Sequence, residues 1–308
     1  MSGLRARAGE YLAMRRALGF KLESQGPRLM SFVRFCEDRD ATAVTTDLAV
    51  EWATSTGSDH EAYQARRLDV VRIFARHLQP LDPATEIPPA DVLDRRQWRI
   101  PPYLYSPQEV TALMSAAGRL RPAIRAATWR TFIGLLAVTG MRQGEACRLG
   151  RDDVDLNAET IVIEDSKFGK SRMVFLHPTT AAALRVYARA RDEAFPKTGT
   201  FLVNSLGRPL DRRNTPKTFA ELVTAAGIKA PPGQRAPRLH DLRHVFTVAT
   251  LLDWYRDGAD VQARLPALST WLGHIDPKST YWYLSAVPEL LALAAARLEP
   301  AGQEQAAS

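Results

Sequence analysis

Apolar positions recur at helical spacing through the first quarter of the chain. In "RLMSFVRFCEDRD", Leu29, Phe32, Val33 and Cys36 stand at i, i+3, i+4 and i+7, and in "RRLDVVRIFARHL" Leu68, Val71, Phe74 and Leu78 draw a second such stripe. Thr46, ahead of "DLAVEWA", has the side chain to cap another helix. Residues 1–79 therefore read as a small domain of four or five helices. The pattern then breaks. Pro80, Pro83, Pro88, Pro89, Pro101 and Pro102 crowd the segment 80–104, where residues without an N–H suit neither a helix interior nor a central strand. That segment reads as a stiff, extended connector.

A second domain, 105–298, opens at "YSPQEV". Ser106 is placed as N-cap, Pro107 at the first helical position and Glu109 to close a capping box, with Tyr105 and Val110 as a hydrophobic staple. An apolar helix, "ATWRTFIGLLAVTG", stops at Gly140, and a short helix begins near Arg142. "TIVIED" and "SRMVFLHP" are β-rich runs around the turn-like "SKFGK", which predicts a hairpin. Helices resume at "TTAAALRVYARARDEA" and continue to about residue 298, and the small, polar residues 299–308 read as a mobile tail. The fold class expected is mainly α with a small β-sheet, an α+β chain.

Length and composition agree with this division. The 308 residues exceed one ordinary core and suit two domains. With 45% hydrophobic and 24% charged residues the composition is that of a soluble globular protein. No secretion-type h-region opens the chain and no run of 18 apolar residues occurs, so a cytoplasmic protein without membrane association is expected. Cys36 and Cys147 both sit in apolar patterns and read as packed thiols. Charge changes the picture more. Residues 1–98 carry 14 basic and 14 acidic side chains, so the whole net charge of +7 falls on the remainder. A basic domain of this kind favours polyanions, nucleic acid among them.

Four stretches of the second domain hold unusual combinations: "TGMRQGEACRL" with Arg142 and Glu145, "SKFGKSR" with Lys167, "LHDLRH" with His240 and Arg243, and "LGH" followed by Tyr283. Singly, each has an ordinary explanation. Arg142 beside a helix stop could interact with a helix C-terminus, Lys167 in a turn could be solvated, and "LHDLRH" could simply start a helix. His240 and His244, at i and i+4, also have the spacing of zinc-binding histidines, with His274 as a third candidate ligand. Against a metal, Asp241, Leu242 and Arg243 fill the positions between the two histidines; a cation stands there and no glutamate base. G-x-S-x-G, Walker-type and G-x-G-x-x-G signatures are all missing.

Taken in order, the stretches resemble the tyrosine recombinases, the phage-integrase and Xer-like family, across the whole second domain. The first domain resembles that family's core-binding domain in size and position. The resemblance implies that Arg142 and Arg243 grip the non-bridging oxygens of a scissile phosphate and that Lys167 protonates the departing 5′ oxygen. It further implies that His240 and His274 are the site histidines, that Tyr283 is the nucleophile, and that Glu145 is a carboxylate holding the site in shape. The hairpin departs from the family pattern at Phe168, where glycine is common, and Lys170 stands in reserve for Lys167. DNA contacts are expected from Arg66, Arg67 and Arg76 on the first domain and from Lys170, Arg172, Arg235 and Arg238 on the second. The function implied is site-specific recombination of duplex DNA, of integrase or transposase type, through a 3′-phosphotyrosyl link, with no metal and no ATP. Its partners would be a recombination site and a homo- or hetero-tetramer of recombinases at the nucleoid. A silent DNA-binding homologue and a type IB topoisomerase-like activity are the alternatives. "PKSTYWYL" is more similar to recombinases of transposable elements than to chromosome-dimer resolvases.

The chemistry is sound on physical grounds. In-line attack on a phosphodiester loads charge on the non-bridging oxygens, where two guanidiniums offer fixed forked donors. A tyrosine hydroxyl, with a pKa near ~10, is helped by nearby cations and a hydrogen-bonding histidine. In "HIDPKSTYWYL", Asp276 and Pro277 are placed to start a helix on which Tyr281 and Tyr283 lie about 200° apart, so they cannot face one site. Ser279 and Thr280 would give the Tyr283 face a polar character. The alternative is that all three aromatics fill a core. Further on, "VPELLALAAARL" predicts a last apolar helix; packing on its own domain is the ordinary reading, and the resemblance implies that it couples subunits in a tetramer.

Overall fold

The computed structural model describes residues 3–57, 61–93, 101–164, 171–273 and 278–296. The chain separates into two compact units, residues 1–99 and 100–308. The first holds helices α1 (Leu4–Ala17), α2 (Gln25–Glu37), α3 (Thr46–Thr54) and α4 (Glu61–Leu78). The stripes foreseen on α2 and α4 meet in its core, where Phe32, Leu68, Val71 and Phe74 are fully buried. Thr45, one residue before the expected position, caps α3 by accepting from the Leu48 N–H at 3.3 Å.

Residues 80–93, expected as connector, instead lie on the first unit. The buried Arg72 of α4 donates to the Pro88 and Pro89 carbonyls at 2.7 and 2.6 Å, and the Glu86 N–H donates to the Val44 carbonyl at 2.8 Å. Ile87 and Leu93 pack on the core. Prolines keep this stretch out of helix and sheet, yet their carbonyls remain acceptors, and Ile87 and Leu93 are half-buried against the core while Leu81 and Val92 stay exposed.

The second unit begins with α5 (Pro107–Ala117), α6 (Ala123–Thr139) and α7 (Gln143–Arg148). Ser106 and Glu109 form the expected capping box, at 3.2 and 2.8 Å. A three-stranded antiparallel sheet follows, β1 (Val154–Asp155), β2 (Thr160–Ile163) and β3 (Arg172–Phe175), in that spatial order. Ile163 pairs with Arg172 and Thr160 with Phe175. Next come α8 (Pro178–Ala194), α9 (Thr215–Ala225), α10 (Asp241–Arg256), α11 (Val261–Leu272), α12 (Lys278–Ala286) and α13 (Pro288–Ala296). The fold is thus mainly helical with one small sheet. Among the described residues no helix is long and apolar enough to cross a membrane.

Helix α6 is central, packed against α5, α8 and α10. One core gathers α5 to α9 and the sheet; a second gathers α10 to α13. The last helix packs on its own unit: Val287 and Leu290 are buried in that second core, and Glu289 pairs with Arg256 at 2.8 Å. Cys36 and Cys147 are free and buried, and burial pushes each thiol up to about 11.

Candidate active site

The site grows from the ends of two helices. Helix α6 stops at Gly140, whose φ of +62° suits glycine and whose missing side chain makes room for the Phe246 ring. That turn delivers Arg142 as N-cap of α7 and Glu145 into its first turn. Glu145 accepts from the Arg142 backbone N–H at 2.8 Å and from Arg142 Nη1 at 2.7 Å. Helix α11 stops in the same way at Gly273, with φ +64°. Trp271, on its last turn, reaches back to donate from Nε1 to the Thr139 carbonyl at 2.9 Å, which ties the two helix ends together.

Arg243, on the first turn of α10, bridges those ends. Its Nη1 donates to the Gly140 carbonyl at 2.7 Å and its Nη2 to the Leu272 carbonyl at 2.6 Å. C-terminal carbonyls carry the negative end of the helix dipole, so they suit a guanidinium that is only 3% exposed. Desolvation and the neighbouring Arg142 lower its pKa to about 9, which leaves it cationic at neutral pH. Arg142, half-buried, donates from Nη2 to the Gly273 carbonyl at 2.5 Å. Burial pushes the Glu145 carboxyl up, but the bonds and charge of Arg172 and Arg142 outweigh this and hold it at about 2. Two arginines thus bond to one carboxylate, with Arg243 nearby as a third cation, an excess of positive charge that an anion would relieve.

Tyr283 on α12 is 3% exposed, and its hydroxyl lies 2.5 Å from His244 Nδ1. The His244 ring stands edge-on to His240, with centroids 4.9 Å apart. Solvent reaches part of His240, yet the protein crowded around its ring, with Arg243, Arg238 and Arg142, holds its pKa down to about 4. Burial, then His240 and Arg243, holds His244 down to about 3. Both rings are neutral at pH 7, and a neutral ring nitrogen can accept from the tyrosine. Thr280, one turn before Tyr283, is buried and bonded to Ser269 of α11 at 2.8 Å, so it locks α12 to α11 and does not open on the site.

These histidines set a pH response. An ordinary histidine titrates near ~6.5. Below that the unfolded chain takes up protons that the fold refuses, so stability is full above about pH 6.5 and falls towards pH 4. Glu145, at about 2 against an ordinary 4.5, extends the fall below pH 4.5. Urea midpoints should decrease between about pH 7.5 and about pH 5, and less steeply in a His240→Asn, His244→Asn double variant. A flat profile would contradict this account.

Of the residues named from sequence, Arg142, Glu145, His240, Arg243 and Tyr283 come together here. Lys167, Lys170 and His274, like Asp276 and Pro277, lie outside the described residues. Arg172 departs from expectation: its side chain is 8% exposed and turned inward onto Glu145. Arg238 is exposed and paired with Asp241 at 3.3 Å, and Arg235 is half-buried. On α4, Arg66 and Arg76 are exposed, whereas Arg67 folds over the Trp52 ring at 4.0 Å and donates to the Trp52 carbonyl. The sequence offers His244 only as a candidate metal ligand. Its i, i+4 spacing from His240 was the available signal, and its partner proves to be Tyr283. Among the described residues no group of three His, Cys, Asp or Glu side chains could hold a metal ion.

The phage integrase family model matches residues 104–289, a span that runs from before Arg142 to beyond Tyr283. The chain belongs to the phage integrase family. Phage integrases of this kind are tyrosine recombinases, and the relatives bear such names. A Sinorhizobium fredii (strain NBRC 101917 / NGR234) protein named as an integrase/recombinase, y4rB, is 41% identical over 97% of this chain and 98% of its own length. The tyrosine recombinase XerC of Lactobacillus delbrueckii subsp. bulgaricus (strain ATCC BAA-365 / Lb-18) is 28% identical over 71% of this chain and 70% of its own. Among solved structures, the Tn1549 transposon integrase in complex with transposon right-end DNA matches with a TM-score of 0.65 at 18% identity, over 95% of this chain and 98% of that one. A lambda integrase dimer bound to a core site matches with a TM-score of 0.62 at 17% identity, over 90% and 96%. At these identities the structural likeness speaks for the fold.

Proposed function

We propose that this phage integrase cuts and rejoins duplex DNA at a specific site through a covalent 3′-phosphotyrosyl link, with Tyr283 as nucleophile. The observation that carries this reading is a single buried tyrosine hydroxyl, bonded to His244, in a site where Arg142 and Arg243 are held by helix ends. In the step proposed, the Tyr283 oxygen bonds to phosphorus as the bond from phosphorus to the 5′ oxygen breaks. His244, bonded to the tyrosine hydroxyl, is assigned the tyrosine proton once the bound phosphate offsets the cations that depress its basicity, and Lys167 is assigned the proton gained by the leaving oxygen. Arg142 and Arg243 neutralise charge on the non-bridging oxygens, with His240 and His274 completing the cradle. Attack by the 5′ hydroxyl of another strand reverses the step. The phosphotyrosyl link conserves the bond energy, so the reaction so written requires neither ATP nor a metal ion.

The partners proposed are a recombination site and further recombinase subunits, in a homo- or hetero-tetramer acting at the nucleoid in the cytoplasm. A lambda integrase tetramer bound to a Holliday junction is among the structural neighbours and supports this assembly. Relatives named integrase/recombinase, together with a transposon integrase of the same fold, favour a mobile element as the source of the DNA site. The test uses a nicked half-site taken from the ends of the element that encodes the chain. Wild type should form a covalent adduct there and should leave a supercoiled plasmid lacking the site unrelaxed. Relaxation of that plasmid would favour a topoisomerase-like activity, and binding without adduct would favour a silent homologue.

A further inference from the structure

Three consecutive carbonyls at the end of α11 each accept from a different arginine. Trp271 accepts from Arg172 Nε at 2.7 Å, Leu272 from Arg243 Nη2 at 2.6 Å and Gly273 from Arg142 Nη2 at 2.5 Å. Two of these arginines are the proposed phosphate ligands. The third, Arg172, starts strand β3 and is buried. Its remaining donors meet Glu145 in a fork, Nη1 to Oε1 at 3.1 Å and Nη2 to Oε2 at 2.7 Å. Both carboxylate oxygens are therefore shared, since each also accepts from Arg142.

A carboxylate held by one half-buried arginine three residues away could rotate with it. The planar fork of Arg172 fixes both the plane and the position of that carboxylate. Arg142 is then gripped from two sides, by Glu145 and by the Gly273 carbonyl, and Arg172 bonds directly to the first and to the helix end that supplies the second. The packing leaves little slack. A Cβ on Gly273 would lie 2.8 Å from Arg172 Nη1 and 3.2 Å from Arg142 Nη1, so the two guanidiniums converge where a side chain is missing. Arg172 also follows Lys167 by five positions in the sequence, which ties the strand leaving the lysine-bearing segment to Arg142.

We propose that Arg172 is a positioning residue of the strand-transfer site: from the start of β3 it fixes Glu145 and the end of α11, and through both it sets the guanidinium of Arg142. The inference rests on Arg142 being a phosphate ligand. Arg172 itself makes no phosphate contact.

The test compares wild type, Arg172→Gln and Arg172→Lys as full chains on the cleavable half-site. The lysine variant keeps the charge but has no fork, which guards against a glutamine variant that fails to fold. DNA affinity should stay within about two-fold, while adduct formation by bound protein slows by about 100-fold, the scale of a misplaced catalytic group. A methylphosphonate at the scissile position then removes the charge that Arg142 neutralises. On it, the deficit of the Arg172 variants relative to wild type should shrink to a few-fold, and that of Arg142→Gln should shrink with it.

A deficit of equal size on both substrates would mean that Arg172 serves only the fold. Weakened binding with normal cleavage of bound DNA would make it a phosphate contact. Either result overturns the proposal. Failure of wild type to form any adduct would bring down the strand-transfer reading itself, and the DNA-free protein would still decide about Arg172. There, nitrogen-15 NMR should show the Arg142 guanidinium protons exchanging at least about ten-fold faster in Arg172→Lys than in wild type, as expected when a local restraint is lost. Equal exchange rates would overturn the positioning role.

Discussion

Tyr283→Phe is expected to fold, to bind its DNA and to form no covalent adduct, whereas Tyr281→Phe forms the adduct at close to the wild-type rate. The two residues share a helix but not an environment. Tyr283 is 3% exposed in the core of α10 to α13, so phenylalanine preserves the ring's packing and gives up the bond to His244, a loss of about 1 kcal/mol. The attacking oxygen has no substitute. Tyr281 is 41% exposed, with its hydroxyl 3.4 Å from Gln262. Labelled nicked half-site DNA resolved on a denaturing gel measures both variants. An adduct formed by Tyr283→Phe would move the nucleophile elsewhere.

Local rules made most of the fold legible. The apolar stripes of α2 and α4, the Ser106 capping box and the stop at Gly140 each follow from side chains a few residues apart, and each appears where its pattern places it. The docking of residues 80–93 was not legible, because it depends on Arg72 finding the Pro88 and Pro89 carbonyls across space. The site divides in the same way. Order and spacing marked Arg142, Glu145, His240, Arg243 and Tyr283, but a spacing does not say what a side chain touches. His244 carried the spacing of a metal ligand and meets a tyrosine instead.

Arg172 carried the charge of a DNA contact and is buried. Its alternation with Val174, two residues on and fully buried, was the one local sign that it points inward. The ordinary explanation for Arg142, an interaction with a helix C-terminus, proves compatible with the catalytic one. The helix is α11, 131 residues away in sequence, and its carbonyl is part of what aims the guanidinium.

Arg243→Lys should lose both stability and cleavage, and should lose more stability than Arg142→Lys. Arg243 spans two helix ends, with Nη1 on the Gly140 carbonyl and Nη2 on the Leu272 carbonyl. A lysine ammonium is a point charge that reaches one of them at a time. The abandoned carbonyl, at a residue-243 site only 3% exposed, would then lack a donor, at a cost of about 1–3 kcal/mol. Desolvation that already draws the arginine down to about 9 would act on an ammonium whose ordinary value, about 10.4, starts lower. Arg142 is half-buried, so water can serve the acceptors that a lysine there leaves behind. Cleavage responds differently, because each guanidinium supplies directed donors to the charge that develops on the phosphate, and losing such a donor costs about 100- to 1,000-fold. Urea midpoints and single-turnover adduct rates on the same two proteins separate the effects. Wild-type stability in Arg243→Lys would refute its role as a strut between α6 and α11, and wild-type cleavage would refute its role at the phosphate.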